Sequence, residues 1–233
     1  MCGLASSKAP LAKDVSAVTS RGSTKGECRV TSVARQVDKI MAVWKAHLEV
    51  SKSLPRLAGV VSDAVDLIYS SLSAGGQLLI AGNGGSAADA QHIAAELTGR
   101  FLLDRQPLRA IALHANTSAL TAVANDYGYE SVFARELAAH ARSGDVLLAI
   151  STSGNSPSIL RAIEVAGEHG VAIIGLTGES GGQMRTKCDL CLCIPSASTA
   201  RVQEMHITIG HAICELLEER LAMPVESSNN SNQ

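Results

Sequence analysis

Five short apolar runs, each too short to be a helix, recur along the middle and second half of the chain: Gln77–Ala81, Ala110–Leu113, Val146–Ile150, Val171–Leu176 and Leu190–Ile194. All but the last are followed closely by Gly, Ser, Thr or Asn and then by a stretch with helical spacing. Runs that are apolar throughout, rather than alternating with polar residues, suit strands covered on both faces. Their alternation with helices predicts an α/β fold: a doubly wound, five-stranded parallel sheet flanked by helices, a flavodoxin-like three-layer sandwich. Two helices, near Val33–Leu48 and Ala58–Leu72, are expected before the first strand, and a long one near Ala200–Leu221 after the last. Residues 1–30, rich in Ser, Lys, Gly and Thr, are expected to be a disordered extension, and residues 225–233 a disordered tail. That leaves one domain over residues 31–224, as a chain of 233 residues with 46% hydrophobic content can support.

Several classes of function are disfavoured by composition. The formal charge is −2, from 20 basic and 22 acidic residues, and aromatic residues make up 3%. No basic surface or set of stacking rings is indicated, so neither nucleic acid nor an anionic membrane is expected as a partner. No run approaches the roughly 20 apolar residues of a membrane span, and the first ten residues lack the apolar core of a secretory signal. A cytoplasmic location is therefore expected, with Cys2, Cys28, Cys188, Cys191, Cys193 and Cys214 as free thiols. The Cys188-x-x-Cys191 spacing could suggest zinc or a redox pair, but no second CxxC or flanking His completes a structural metal site. It reads instead as part of a buried strand ending at Pro195.

In open α/β sheets ligands bind beyond the carboxyl ends of the strands, which directs attention to the loops there. Gly82-Asn83-Gly84-Gly85-Ser86 follows the first run, and Ser151-Thr152-Ser153-Gly154-Asn155-Ser156 the third. Both lead into a helix N-terminus. Small residues, hydroxyls and free backbone N–H groups in that position suit a phosphate dianion without a Lys or Arg. An ordinary strand-to-helix turn with Ser as the cap is the alternative for either loop alone. Neither loop matches the GxxxxGK[ST] or GxGxxG patterns, which disfavours nucleotide cofactors.

Candidate acid–base groups lie on two helices. His92 and Glu96 are i,i+4 on the helix that opens at the first loop and so share a face. Gln203 and His211, eight apart on the terminal helix, differ by only about 80° in direction. A set of two imidazoles, a carboxylate and an amide is a plausible first shell for Zn²⁺. By spacing alone, a surface ion pair explains His92 and Glu96 equally well. His206, turned about 140° from His211 on the same helix, reads as packing or as an outer contact.

The segments Ala81-Gly-Asn-Gly-Gly-Ser86, Leu148-Ala-Ile-Ser-Thr-Ser-Gly-Asn-Ser156 and Gln203-Glu-Met-His206 resemble the SIS-domain phosphoheptose isomerases, over roughly residues 33–222. The resemblance implies an aldose–ketose isomerase that converts sedoheptulose 7-phosphate to D-glycero-D-manno-heptose 7-phosphate through an enediolate. That reaction is the first step toward nucleotide-activated heptose. It implies substrate binding by Asn83, Gly84, Gly85, Ser86, Glu96, Asn125, Asp126, Ser151, Thr152, Ser153, Ser156 and Gln203. It also implies Glu96 and His211 as the catalytic pair, and one Zn²⁺ per subunit held by His92, Glu96, Gln203 and His211. Some family members carry Asp where Ala200 stands here, so any contribution of that carboxylate is missing. The resemblance further implies a homotetramer with sites shared between subunits. An apolar stripe of Val37, Ile40, Met41, Trp44 and Leu48 on the first helix would suit subunit contacts or packing within one chain. A non-catalytic SIS-domain regulator of the DiaA type, binding a replication initiator protein, shares the fold and is the alternative. It would be expected to lack the Glu and His of the catalytic pair.

Overall fold

The computed structural model describes residues 24–222. The chain divides into two units, residues 1–43 and 44–233. The described part of the first unit is the opening of helix α1 (Thr24–Ser51). That helix begins earlier than expected, so the last residues of the predicted extension are helical; after Gly26 no Gly or Pro interrupts it. The rest of the predicted extension and all of the predicted tail lie outside the described residues.

The second unit holds a five-stranded, all-parallel sheet. Its strands are β1 (Leu78–Gly82), β2 (Ala110–Ala112), β3 (Val146–Ser151), β4 (Ala172–Thr177) and β5 (Leu190–Cys193), in the order β2-β1-β3-β4-β5. The helices are α2 (Ala58–Ser73), α3 (Gly85–Thr98), α4 (Thr117–Tyr127), α5 (Val132–His140), α6 (Pro157–Glu168) and α7 (Thr199–Ala222). The continuous apolar runs are explained by the two cores. Leu78 and Ile80 of β1, with Val146, Leu148 and Ile150 of β3, pack with Ile68, Ile93, Leu97, Ile213 and Leu217 of α2, α3 and α7. The intervening Leu79 and Ala81, with Leu147 and Ala149, pack with Phe133, Leu137, Ile159 and Ile163 of α5 and α6. Successive side chains on a strand point to opposite faces, so a strand sandwiched between helices must be apolar at every position. Each such side chain taken fully out of water contributes about 1.5–3 kcal/mol.

The exception is β5. It was expected to be buried, but it pairs only with β4 and is mostly half-buried. Its place at the sheet edge leaves part of its surface uncovered. The strand order reverses direction between β1 and β3, which are direct neighbours with Gly82 opposite Ile150. In a doubly wound sheet this switch point leaves a crevice at the carboxyl ends of the strands, because the following helices depart to opposite faces. Here α3 leaves β1 toward one core and α6 leaves β3 toward the other. Among the described residues no helix is long and apolar enough to cross a membrane.

Candidate active site

The two loops singled out in the sequence flank that crevice. Gly84 occupies a positive-φ conformation at +57°, which turns the chain from β1 into α3. Gly154, at φ +64°, is pressed so closely on the Gly181 carbonyl that a Cβ would lie 2.0 Å from its oxygen. Ser156 is the N-cap residue of α6 and Gly84 that of α3, and neither helix has a side-chain cap hydrogen bond. Ser156 instead places its hydroxyl 2.9 Å from that of Ser151, which in turn lies 3.4 Å from the Ser153 hydroxyl. At α3 the N–H groups of Ser86, Ala87 and Ala88 donate to the Asn83 and Gly84 carbonyls, and at α6 those of Ile159 and Leu160 donate to the Ser156 carbonyl, so both loops close as tight backbone turns at the helix start.

The loops are tied together across the crevice. The Asn83 amide donates to the Ser158 hydroxyl of α6 (3.0 Å), and its carbonyl accepts from the Tyr129 hydroxyl (2.8 Å). Ser86 is buried at the start of α3. Thr152 and Ser153 open onto a cavity of about 300 Å³, whose other walls include Glu179, Ser180, Ser196 and Thr199. Asn125 and Asp126 lie on the last turn of α4, exposed and bonded to each other at 2.7 Å. No hydrogen bond joins that pair to either loop among the described residues; Tyr129, just beyond it, makes the connection to Asn83.

The acid–base candidates do converge. His92 Nε2 lies 3.1 Å from Glu96 Oε1 and 3.0 Å from His211 Nε2. The three ligand atoms all fall within 4.8 Å of one another. Such closeness of α3 and α7 depends on Gly210: a Cβ there would lie 2.7 Å from the Ile93 side chain. Gln203, two turns earlier on α7, lays its amide against Gly85, where a Cβ would sit 2.6 Å from Nε2. His206 is fully buried, and its Nε2 lies 3.1 Å from the Thr177 carbonyl oxygen at the end of β4. Burial pulls its pKa down to about 4 against the opposing effect of that hydrogen bond. The packing role expected for His206 is what the structure gives it.

Three neighbours of this cluster were not singled out in the sequence as site residues. Asp89, one turn before His92, has a buried Oδ2 without a hydrogen-bond partner. Burial raises its pKa, partly offset by His92 and His211. Its i,i+3 spacing to His92 is the signal that would have found it. Phe101 stacks on His211 with ring centroids 5.5 Å apart. Glu218 of α7 holds that segment: its buried carboxylate accepts the N–H groups of Phe101, Leu102 and Leu103 and pairs with Arg105 at 3.0 Å. Burial alone would raise the pKa of Glu218, but those N–H groups and the guanidinium outweigh it and hold it below the ordinary value. No local sequence pattern marks these long-range contacts.

The donor set suits a divalent cation. Two imidazole nitrogens facing each other at hydrogen-bond distance need a shared proton or a cation between them, and a carboxylate oxygen completes an N, N, O set of the kind Zn²⁺ takes.

A doubly wound sheet with small and hydroxyl-bearing residues in the loops at its switch point places a ligand site at the carboxyl ends of β1 and β3. Residues 45–178 match the SIS domain family. The chain is 51% identical over 184 residues to a phosphoheptose isomerase of Rhodospirillum rubrum, covering 79% of this chain and 98% of that protein. The structure is similar to that of the phosphoheptose isomerase from Neisseria gonorrhoeae (39% identity, TM-score 0.75, 79% of this chain and 99% of that one). It is also similar to that of a phosphoheptose isomerase from Francisella tularensis (36% identity, TM-score 0.77, 79% and 98%). The chain belongs to the phosphoheptose isomerase family.

Proposed function

We propose that this chain interconverts sedoheptulose 7-phosphate and D-glycero-D-manno-heptose 7-phosphate, with Glu96 and His211 as the acid–base pair. The observation that carries this reading is that His92 and Glu96, on the helix that opens at the first loop, meet His211 of α7: His92 Nε2 lies 3.1 Å from Glu96 Oε1 and 3.0 Å from His211 Nε2. A sugar phosphate held by Asn83, Gly84, Gly85 and Ser86 of the first loop and Ser151, Thr152, Ser153 and Ser156 of the second would lie beside that cluster. Asn125, Asp126 and Gln203 would contact its hydroxyls. Glu96 takes the proton from C1 of the ketose, the electrons form the enediolate, and the same proton returns at C2. His211 moves the proton between the two oxygens, giving it to O2 as the carbonyl shifts to C1.

His92, Glu96, Gln203 and His211 would hold one Zn²⁺ per subunit, which when bound stabilises negative charge on the substrate oxygens. Glu96 can serve both purposes because a carboxylate has two oxygens, and Oε1 is the one engaged by His92. In this reading the enzyme is cytoplasmic, and it is a homotetramer with sites shared between subunits. Support for subunit contacts comes from the apolar stripe on α1: Val37, Ile40, Met41, Trp44 and Leu48 are all exposed in the single chain.

The test is to incubate the protein with sedoheptulose 7-phosphate and follow the aldose phosphate by NMR, beside Glu96→Gln and His211→Gln. Each substitution is expected to lower kcat by about 10²–10⁴-fold. Chelation followed by Zn²⁺ addition, with metal analysis, checks the ion. Wild-type protein that binds the sugar but never converts it, with or without Zn²⁺, would sink the enzyme reading in favour of the regulator.

A further inference from the structure

Three thiols gather beside β5, away from the acid–base cluster. Cys191 and Cys193 pair in register with Gly175 and Thr177 of β4, so their side chains share one sheet face. Their sulfurs lie 3.8 Å apart. Cys188, in the bend before the strand, reaches the same place. A Cβ on Gly175 would lie 2.8 Å from its sulfur and 3.5 Å from that of Cys191, so the bare glycine makes the space in which these two sulfurs meet. Thr177 supplies a hydroxyl 3.3 Å from Cys193 Sγ and 3.7 Å from Cys191 Sγ. All three cysteines are half-buried.

We propose that Cys188 and Cys191 form an oxidisable thiol pair, with Cys191 as the nucleophile toward hydroperoxides and Cys188 as the resolving thiol. Backbone geometry selects the pair. Cys191 and Cys193 are two apart on an extended strand, which sets their parallel Cβ atoms about 6.5 Å apart. A disulfide needs about 3.5–4.5 Å. Cys188 lies outside the strand and is free of that restraint. The hydrogen bond from the Cys188 thiol lowers the pKa of Cys191, with Thr177, Cys193 and Arg185 adding to it and burial opposing. Cys188, the donor, is pushed well up. Cys191, with the Thr177 hydroxyl at 3.7 Å and the Cys193 thiol at 3.8 Å beside its sulfur, is therefore the more acidic thiol of the pair, and the thiolate is the reactive form.

The chemistry closes without other reagents. Cys191 thiolate attacks the terminal peroxide oxygen, the O–O bond breaks, and the departing oxygen takes up from solvent the proton that the Cys191 thiol had released, leaving as water from hydrogen peroxide or as an alcohol from an organic hydroperoxide and giving a sulfenic acid. Cys188 sulfur then attacks Cys191 sulfur, the S–O bond breaks, and the sulfenic oxygen leaves as water carrying the Cys188 proton. Two thiols are oxidised by two electrons and one hydroperoxide is reduced.

Trypsin cleaves after Lys187 and Arg201, so the three thiols fall on one peptide. The experiment treats the full chain with hydrogen peroxide, alkylates it after denaturation, and maps that peptide by mass spectrometry. A peptide two hydrogens lighter with its single alkyl group on Cys193 is expected. Cys193→Ser should retain the bridge and Cys191→Ser should lose it. In Cys188→Ser, dimedone should label Cys191. The proposal is overturned if the alkyl group falls on Cys188 or Cys191, or if Cys191→Ser still forms a bridge. It is equally overturned if dimedone labels Cys193 instead, or if all three thiols alkylate fully after peroxide that oxidises glutathione in the same tube.

Discussion

Gly85→Ala isolates the placement of one side chain from the stability of the fold. Gly85 is the first residue of α3, and the Gln203 amide occupies the space its Cβ would need: 2.6 Å to Nε2 and 2.9 Å to Cδ and Oε1. Ordinary contacts of this kind lie at about 3.5–4.0 Å, so the amide must retreat by about 1 Å. It is the far end of a flexible side chain and can do so without moving backbone. A displacement of about 1 Å in a group that positions substrate can cost about 10²-fold in rate, or about 2.7 kcal/mol. The stability effect has the opposite sign. Ala loses less backbone entropy than Gly on entering a helix, worth about 0.5–1 kcal/mol. The variant should therefore unfold at the wild-type temperature or slightly above while kcat/KM for sedoheptulose 7-phosphate falls about 10²-fold. The same substitution in a Gln203→Ala background should cost less than it does alone, since part of its effect passes through that one contact. Activity within about threefold of wild type, or an equal penalty in the Gln203→Ala background, would refute the reasoning.

Glu218→Gln should destabilise the protein by about 3–5 kcal/mol, because it leaves the buried Arg105 guanidinium uncompensated and turns an amide group toward N–H donors. For a chain of this size that is a fall in Tm of about 6–20 °C, measured at fixed protein concentration, and a loss under about 1 kcal/mol would contradict it. His206 sets a pH dependence. Its folded pKa, about 4, lies below the ordinary value near 6.5, so the unfolded chain binds the proton more readily. The resulting stability is fully present above about pH 6.5 and is lost as pH falls toward 4, by up to about 3 kcal/mol. Urea unfolding across that range should show the wild type losing more stability than His206→Gln, and parallel curves would exclude the effect.

What could be read from the sequence was what depends on local pattern. The strands were legible because both faces of β1 and β3 are covered, which forces unbroken apolar runs. The loops were legible because small and hydroxyl residues were concentrated after two of those runs, and His92 with Glu96 because a helix brings i and i+4 together. Edge position is not a local property, so β5 was taken for a buried strand. Nor is the stacking of Phe101 on His211, which depends on Glu218 gathering three backbone N–H groups from a segment far away in the chain.

A subtler part escaped because it consists of missing atoms. Gly210 lets α3 and α7 approach until His92 and His211 lie 3.0 Å apart, Gly85 admits the Gln203 amide, and Gly175 gives room to two thiols. None of the three has a positive φ, so none is required by backbone conformation. Each is required by what occupies the space beside it. A glycine in the interior of α7 costs helix stability, about 1 kcal/mol relative to Ala, and the penalty at Gly210 is offset where the helices meet. The geometry of the acid–base cluster therefore rests on side-chain absence as much as on the residues that carry the chemistry.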